Sequence, residues 1–307
     1  MAQFRTQWFL LDDRFSHDVG TVAGITPSNV EWAAGVGSRA SPVFFSHERM
    51  LEVDWSVPKR FRFGLLIESV SQAPELYRRV HSVMESYQLV FTHDSRLLKK
   101  YPNTRWIPGG GIWIGGSHGG TNPPDVFAKN RSVFISSSNK LRCRGHKVRY
   151  SLAKKLEQSK HGVDVFRQRP GGLKMDIDLT RQGQHEVFPY TKLATHFLKD
   201  YRYSIMVENY IDDLYFTERL LNCFATGTVP VYRGARNIGS IFDPAGIISW
   251  TAPRQLLNKI LPRLSEEDYE SRLPAIKKNF NMATRFRTIE DYIFEEYGTE
   301  IHSPKGL

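Results

Sequence analysis

Two series of strand–helix–strand units, separated by a glycine-rich stretch, predict an α/β fold with a parallel sheet in each half of the chain. The first series has apolar runs at 61–67 and 89–92, with an amphipathic helix between them from Pro74 to about Glu85. The stretch 109–124 holds seven glycines and two adjacent prolines, a density typical of a flexible loop or a connection between domains. We therefore expect two lobes, each with its own sheet.

The second series begins at the apolar run 133–135 and continues toward the end of the chain. Val148, Leu152 and Leu156 recur on one face of the helix that follows this run. Residues 15–50 lack helical periodicity, so we expect only loops and short strands there. The other predicted elements are a helix at 146–160, a strand at 163–166, a helix near 191–198, a strand at 203–207, a helix that ends at Gly227, a strand at 228–232, and tail helices at 265–279 and 288–297.

A chain of 307 residues is long enough for two domains of typical size. We place the domains at 1–125 and 126–285, followed by a C-terminal helix and tail at 286–307. No window approaches the ~20 apolar residues of a membrane span, and the N-terminus does not resemble a signal peptide, so we expect a cytoplasmic protein without a transmembrane segment. The two cysteines, Cys143 and Cys223, are too few for a disulfide framework or a metal cluster, and we expect buried free thiols.

The charge balance narrows the choice of partners. Lys and Arg number 42 against 32 Asp and Glu, which gives a net charge of +10. Such a balance is typical of proteins that bind nucleic acids or anionic membranes, but it also suits a groove for an anionic small molecule. The sequence has no zinc-finger, RRM or KH signature, so we expect no nucleic-acid partner. A non-catalytic protein that binds polyanions stays open as an alternative.

The most informative stretch is 207–219, between a predicted strand and a predicted helix. Parallel sheets bind ligands beyond the carboxyl ends of their strands, where helix N-termini point. Tyr215 and Glu218 are three residues apart, which places them on neighbouring surface of one predicted helix. A carboxylate suits the hydroxyls of a sugar nucleotide, and a guanidinium suits its diphosphate. Candidate contacts at this edge are Glu208, Asn209, Tyr215, Glu218 and Arg219.

A second candidate site for an anion follows the first strand of the second series. That strand ends at Ser138-Asn139, and we expect Arg149 in the first turn of the next helix, where backbone N–H groups favour negative charge. The diphosphate of a sugar nucleotide gains charge as it leaves, so cations aimed at it stabilise the transition state. Nearby competitors for this role are Arg142, Arg144 and Lys147.

These residues resemble the signature of the α-1,3/4-fucosyltransferases, glycosyltransferase family 10. The family carries F-E-N-x5-Y-x-T-E-K and a hydrophobic residue, then V-P-V-x-x-G, and upstream a strand ending in S-N with an Arg seven positions before a hydrophobic residue. Val207 stands where the family has Phe. Arg219 stands where the family has Lys, so a planar guanidinium with several N–H donors replaces a compact ammonium group. The matching positions are Glu208-Asn209, Tyr215, Thr217-Glu218, Val229-Pro230-Val231, Gly234, Ser138-Asn139, Arg149 and Leu156.

The resemblance implies a GT-B architecture, in which two Rossmann-like domains face a cleft. Residues 1–125 would bind the acceptor, and residues 126–285 would bind the GDP-sugar. The implied reaction is inverting transfer of L-fucose from GDP-β-L-fucose to a glycan hydroxyl, with an α-1,3-type linkage and no metal or other cofactor. A Golgi-lumen location would follow only if the sequence were part of a longer, anchored chain. The implied donor contacts are Ser138, Asn139, Arg149, Glu208, Asn209, Tyr215, Glu218 and Arg219.

An inverting transfer also needs a base that removes the proton of the acceptor hydroxyl, and a carboxylate is the usual choice. Glu68 directly follows the predicted strand 61–67 and precedes Ser69. The family has a Glu-Ser pair at the end of a strand in its acceptor domain, and this Glu is regarded as its base. Glu48 and Asp94 are the other candidates. Another nucleotide sugar stays open as the donor, and a lipid-linked sugar or a peptide stays open as the acceptor.

Overall fold

The computed structural model is an α/β protein with two parallel sheets, as the sequence predicts. Residues 191–197 of one predicted helix and residues 114–124 of the glycine-rich stretch lie outside the part of the chain that the structure describes. The described residues are 5–11, 26–37, 41–113, 125–167 and 198–303.

The chain divides into two compact units. The sequence predicts continuous domains divided at 125 and 285, whereas the structure adds two later segments to the first unit. Unit 1 consists of Met1–Ile112, Asp212–Thr217 and Arg285–Leu307, and unit 2 consists of Trp113–Ile211 and Glu218–Thr284.

Unit 1 contains a six-stranded sheet whose neighbouring strands are all parallel. Its central strands are buried along their whole length, which is typical of a parallel sheet covered on both faces. The ring of Phe44 stacks on Phe63 at 5.2 Å and on Phe91 at 5.9 Å between centroids. In sheet order the strands are β2 (Val30–Ala34), β1 (Thr6–Leu11), β3 (Val43–Ser46), β4 (Arg62–Leu66), β5 (Leu89–Thr92) and β6 (Thr104–Trp106).

Unit 2 contains a five-stranded sheet that is also parallel. Ile135, Ile205 and Val231, from three of its strands, belong to one buried cluster that also includes Leu152 and Leu156. The two leucines lie on the helical face that their spacing predicts. In sheet order the strands are β11 (Ile248–Ser249), β10 (Val229–Arg233), β9 (Tyr201–Val207), β7 (Arg131–Ser137) and β8 (Val163–Arg167).

The helices largely follow the predicted pattern, with one clear exception. The helix expected from Pro74 to about Glu85 ends at Arg79, and 3-10 turns replace its second half. Val80 and Val83 are β-branched, which restricts their side chains in a helix, and Val83 leaves helical geometry at φ −121°. The α-helices are α1 (Pro74–Arg79), α2 (Ser95–Lys100), α3 (Arg144–Glu157), α4 (Glu218–Ala225), α5 (Pro253–Gln255), α6 (Glu266–Ala283) and α7 (Ile289–His302).

The strand order of unit 2 reverses at β7. β8 lies on one side of β7, whereas β9 lies on the other side, and β10 and β11 continue outward from it. Open parallel sheets bind ligands beyond the carboxyl ends of the strands at such a reversal. The loops after β7 and β9 are therefore the expected binding region of unit 2.

The sequence predicts a flexible loop or a connection between domains at 109–124, and the boundary between the two units falls within this stretch, between Ile112 and Trp113. Its first glycines are packed against other segments of unit 1. The N–H of Gly109 donates to the carbonyl oxygen of Phe216 at 2.8 Å. A β-carbon on Gly111 would lie 2.7 Å from the carbonyl oxygen of Arg287. These glycines therefore allow close backbone packing, for which their missing side chains are required.

Cys143 and Cys223 are buried free cysteines, as predicted. Among the helices of the described residues, none combines the length and the apolar character needed to cross a bilayer.

Candidate functional site

Four of the eight predicted donor contacts lie directly beyond the carboxyl ends of β7 and β9. Ser138 is half-buried and Asn139 is exposed directly after β7, while Glu208 and Asn209 directly follow β9. Because β7 and β9 are hydrogen-bonded neighbours, both loops leave the same edge of the sheet at the strand reversal. The structure thus brings these predicted residues to one region of unit 2.

The first turn of α3 lies against the loop after β9. A β-carbon on Gly145 would be 2.1 Å from the carbonyl oxygen of Glu208 and 2.6 Å from the Cα of Asn209. Only glycine permits this approach. Cys143 caps the helix, since its sulfur accepts the N–H of His146 at 3.5 Å. The helix N-terminus is therefore fixed beside Asn209, and its open N–H groups favour an anion there.

Arg149 connects this helix to the loop after β9. It is 2% exposed, and its Nη2 donates to the Oδ1 of Asn209 at 2.8 Å. The prediction that Arg149 lies in the first turn is wrong, because α3 begins at Arg144 and Arg149 falls in the second turn. Its long side chain points back toward the helix N-terminus, as such side chains do, and so still reaches Asn209.

The ring of His146 lies in a strongly positive environment. Its pKa is lowered from 6.5 to about 4, first because the ring is buried and then because cations surround it. His146 is 4% exposed, and its Nδ1 has no hydrogen-bond partner among the described residues. The cations responsible are Arg149, Arg219, Lys140 and Arg142, in decreasing order of effect.

Two further arginines extend this positive region. Arg233 ends β10, and burial, followed by the charge of Arg144, lowers the pKa of its guanidinium. The Nε of Arg233 donates to the carbonyl oxygen of Thr251 at 3.1 Å, and its guanidinium lies 5.6 Å from the centroid of the Trp250 ring. We call the whole group the basic edge; it consists of Lys140, Arg142, Arg144, Arg149, Arg219 and Arg233. So much positive charge at a helix N-terminus is suited to a polyvalent anion.

Glu208 differs from its neighbours because its side chain is enclosed. It is 1% exposed, and one carboxylate oxygen accepts the hydroxyl of Tyr232 at 3.4 Å. That hydroxyl accepts the N–H of Ala235 at 3.1 Å. A β-carbon on Gly234 would lie 2.6 Å from the Cγ of Glu208, so the glycine leaves room for the carboxylate. Glu208 thereby ties the turn after β10 to the end of β9.

The second half of the motif begins a helix at Glu218, not before it. The prediction that Tyr215 and Glu218 share one helix is therefore wrong, since α4 starts at Glu218. As the first residue of α4, Glu218 places a carboxylate where the helix dipole favours negative charge. The Nε of Arg219 lies 3.9 Å from the Oε1 of Glu218, and both side chains are half-buried.

Tyr215 belongs to unit 1, unlike the other predicted donor contacts. Its side chain is 2% exposed, and its ring centroid lies 4.4 Å from that of His93. Asp212 holds the same segment, because its carboxylate accepts the N–H of Ser95 at 2.9 Å. The structure therefore divides the motif, with Tyr215 beside His93 and with Asn209 and Glu218 in unit 2. The assignment of Tyr215 as a donor contact stays a prediction.

Glu68 follows β4, at the same edge of the unit 1 sheet as His47 after β3 and His93 after β5. Its N–H donates to the Nε2 of His47 at 3.0 Å. Its carbonyl oxygen accepts the hydroxyl of Tyr77 at 2.7 Å and lies 3.2 Å from the Nε2 of His93. The predicted base is thus half-buried. Histidines that follow the two neighbouring strands contact its backbone N–H and its backbone carbonyl oxygen.

The other two candidates for the base lie close to Glu68 along the same edge. Asp94 is fully buried and caps α2, where one carboxylate oxygen accepts the N–H groups of Arg96 and Leu97, each at 3.0 Å. The guanidinium of Arg96 also pairs with this carboxylate at 2.8 Å. Glu48 is half-buried in the 3-10 turn after β3. The carboxylate of Asp94 is thus already engaged by the helix cap and by an ion pair.

Reasoning from the sequence missed three residues that shape these regions. His47 and His146 are isolated histidines, and nothing local marks them as buried. Gly145 lies among charged residues at a helix start, where glycine is an ordinary N-terminal residue. In each case, the only available signal is position immediately after a strand end or at the first turn of the following helix. Within the described ranges, no group of three or more side chains suited to a metal ion occurs.

Comparisons by sequence identify no relative, since no protein-family model and no curated protein sequence matches this chain. Solved structures match it by fold. A crystal structure of an α1,3-fucosyltransferase with GDP aligns with a TM-score of 0.55 and 10% identity, over 98% of this chain and 91% of that chain. An α-glucosyltransferase in complex with UDP and a 13-mer DNA aligns with a TM-score of 0.54 and 10% identity, over 96% and 90%.

The crystal structure of TarM aligns less completely, with a TM-score of 0.54 and 12% identity over 87% of this chain and 55% of that chain. At these identities the likeness concerns the fold. It confirms the predicted fold class, an α/β fold of the GT-B type with a parallel sheet in each of two units. The fold is one that nucleotide-sugar glycosyltransferases share.

Proposed function

We propose that the protein is a glycosyltransferase that binds a nucleoside diphosphate sugar at the basic edge of unit 2. One observation carries the proposal, the hydrogen bond of 2.8 Å from Arg149 to Asn209. This hydrogen bond lies at the strand reversal, beside the N-terminus of α3. It joins a buried cation to the loop where ligands of open parallel sheets bind. A diphosphate supplies the negative charge that this edge is suited to receive.

The same edge would assist the departure of the nucleotide. As the bond from the anomeric carbon to the diphosphate breaks, negative charge grows on the diphosphate oxygens. Arg149 and Arg219 would neutralise that charge, and the open N–H groups of α3 would add to their effect. We propose that these protein groups perform the reaction without a metal cofactor.

For the donor we propose GDP-β-L-fucose, on the resemblance of the motif to the fucosyltransferase signature. Asn209 would bind the diphosphate or the sugar from the end of β9, and Glu218 would accept hydrogen bonds from hydroxyls. Glu208 would act indirectly, by holding the turn after β10. The remaining predicted contacts, Ser138, Asn139 and Tyr215, are part of the same proposal.

For the transfer we propose Glu68 as the base. The acceptor oxygen attacks the anomeric carbon from the face opposite the diphosphate, and the carboxylate of Glu68 takes its proton. A carbon–oxygen bond forms to the acceptor, the bond to GDP breaks, and the configuration inverts. The acceptor class that fits the proposal is a glycan with a free hydroxyl.

The donor assignment is tested by calorimetric titration with GDP-fucose, GDP-mannose, UDP-glucose and UDP-N-acetylglucosamine, followed by a transfer assay with glycan acceptors. We expect GDP-fucose to bind at least about tenfold more tightly than the UDP-sugars, a difference of about 1.4 kcal/mol. Absence of binding to any guanine nucleotide would remove GDP-fucose as the donor.

A second candidate is a glycosyltransferase that uses a UDP-sugar. The fold likeness to the α-glucosyltransferase with UDP and DNA has a TM-score of 0.54, against 0.55 for the fucosyltransferase with GDP, so the fold favours neither donor. The net charge of +10 would also suit a polyanionic acceptor. Preference for a UDP-sugar, with steeply salt-dependent DNA binding, would favour this candidate. DNA binding without any nucleotide-sugar binding would favour the polyanion-binding alternative.

A further inference from the structure

His47 has a backbone conformation that residues other than glycine adopt uncommonly. Its φ is +50°, and it is the only residue other than glycine with positive φ among those that the structure describes. The residue is fully buried and directly follows β3. A side chain held in this conformation costs free energy, which persists where the surroundings require it and is common at functional sites.

The hydrogen bonds of His47 define the protonation of its ring. The N–H of Glu68 donates to Nε2 at 3.0 Å, so Nε2 must carry a lone pair. Nδ1 therefore carries the proton and donates it to the hydroxyl oxygen of Ser46 at 2.7 Å. A neutral ring with the proton on Nδ1 is the form that satisfies both contacts. The unusual φ of His47 places an acceptor at the N–H of Glu68.

The carbonyl side of Glu68 is held in a complementary way. The Nε2 of His93 lies 3.2 Å from the carbonyl oxygen, which can only accept, so this nitrogen carries the proton. Burial lowers the pKa of His93, which keeps the ring neutral, and its buried Nδ1 has no hydrogen-bond partner among the described residues. Tyr77 donates to the same oxygen at 2.7 Å, and burial raises the pKa of its phenol, which keeps the donor protonated.

We propose that His47 and His93 are positioning residues that clamp the backbone of Glu68, one at its N–H and the other at its carbonyl oxygen, and so aim its carboxylate at the acceptor hydroxyl. The three residues follow three adjacent parallel strands, β3, β4 and β5, with Glu68 in the middle. The two imidazoles thus hold the base, and the acceptor proton goes to Glu68 itself. This inference rests on the proposed function, because it assigns the clamp to the base of that reaction.

The clamp should affect turnover more than donor affinity. A base must lie within hydrogen-bond reach of its proton, and a misplacement of about 1 Å can reduce the rate roughly 100-fold. The donor contacts of unit 2 do not include the clamp residues, but the ring of His93 lies beside Tyr215, so donor affinity is compared only within the His47 pair. A role in folding alone would instead lower stability and all activities together.

The decisive experiment compares His47→Gln with His47→Leu. Both side chains carry the same backbone cost at positive φ, so the two variants differ mainly at the end of the side chain. The amide oxygen of Gln can take the place of Nε2 and accept the N–H of Glu68, whereas Leu offers no acceptor. We expect His47→Leu to have a kcat of transfer roughly 100-fold below that of His47→Gln, with the same Kd for GDP-fucose in both variants.

His93 provides a second pair. We expect His93→Gln, which retains an N–H donor, to keep a higher kcat than His93→Leu. Equal kcat values within both pairs would overturn the clamp. For the His47 pair, a loss of kcat matched by an equal loss of GDP-fucose binding would also overturn the clamp, since that result indicates a general structural role.

Two measurements separate failure of the clamp from failure of the proposed function. If Glu68→Gln transfers as well as wild type, Glu68 is not the base and the catalytic role of the clamp falls with it. If Glu68→Gln is inactive while His47→Leu and His93→Leu are fully active, the clamp alone is wrong. Should wild type transfer no sugar, amide hydrogen exchange still tests the contact: exchange of the Glu68 N–H should be faster in His47→Leu than in His47→Gln, and equal rates contradict it.

Discussion

Gly145 and Gly298 show how differently two helical glycines can be constrained. Gly145 lies in the first turn of α3, where an added β-carbon would meet the backbone of Glu208 at 2.1 Å. Gly298 lies inside α7, where the nearest atom would be 3.9 Å away, at ordinary contact distance from Phe294. The first glycine is required by the close approach of a helix to a strand loop, and the second is not.

We expect Gly145→Ala to destabilise unit 2 by about 1–3 kcal/mol, because backbone atoms cannot move aside as a side chain can. The loop after β9 should shift with it, so nucleotide binding should weaken as well. Gly298→Ala is the matched control and should stabilise the protein by about 0.5–1 kcal/mol, the ordinary gain within a helix. Urea unfolding of both variants checks this, and a Gly145→Ala variant as stable as Gly298→Ala would refute the close contact.

His146 should make stability depend on pH. Its folded pKa of about 4 lies below the ordinary 6.5, so the unfolded chain binds more protons between these values. The contribution of His146 to the unfolding free energy is therefore complete above pH 6.5 and is lost as the pH falls toward 4, up to an upper limit of about 3 kcal/mol. His146→Gln should reduce this slope relative to wild type in denaturant titrations. Equal slopes for the two proteins would show that the ring is not held neutral.

At the scale of elements, the regular periodicity of this chain predicts most of unit 2. β7, β9 and β10 contain the predicted apolar runs, and Leu152 and Leu156 recur at helical spacing in α3. The sequence does not predict the individual strands of residues 15–50, because β2 and β3 are short and gain their burial from neighbours far along the chain. Sheet order is not encoded locally, so the alignment of His47, Glu68 and His93 emerges only from the pairing of β3, β4 and β5.

The N-cap of α2 gives a prediction for Asp94. Its carboxylate accepts two backbone N–H groups and pairs with Arg96, which suits a structural role. Asp94→Asn retains an acceptor at the cap and should keep transfer activity. Asp94→Ala should lose about 1 kcal/mol of stability, the usual value of such a cap. Calorimetric unfolding and the transfer assay test both variants, and a stable but inactive Asp94→Asn would make Asp94 a catalytic candidate again.

At the scale of the whole molecule, unit 1 is completed by the last helix of the chain. The indole N–H of Trp32 in β2 donates to the Oε1 of Glu290 at 3.0 Å, and both residues are buried. Asp291 accepts the N–H groups of Ser28 and Asn29, each at 2.8 Å. A helix that is a separate tail in the predicted domain division therefore closes the edge of the first sheet.

Removal of this contact should weaken unit 1. We expect Glu290→Ala to lower the unfolding free energy by about 1–3 kcal/mol, because the buried indole N–H would lose its acceptor. Glu295→Ala, at an exposed position of the same helix, should change it by less than about 0.5 kcal/mol. Equal stability of the two variants would show that the helix does not depend on the Trp32 contact.

The central claim is that the basic edge of unit 2 binds a nucleoside diphosphate through Arg149. The most direct measurement is calorimetric titration of GDP and of UDP into wild type, Arg149→Met and Lys154→Ala. Met keeps much of the buried volume, and Lys154, exposed near the end of the same helix, controls for the loss of one positive charge. We predict that Arg149→Met weakens binding of the preferred nucleotide at least about tenfold, or 1.4 kcal/mol, while Lys154→Ala binds nearly as wild type. Equal binding by wild type and Arg149→Met, or no binding of either nucleotide by wild type, would contradict the account.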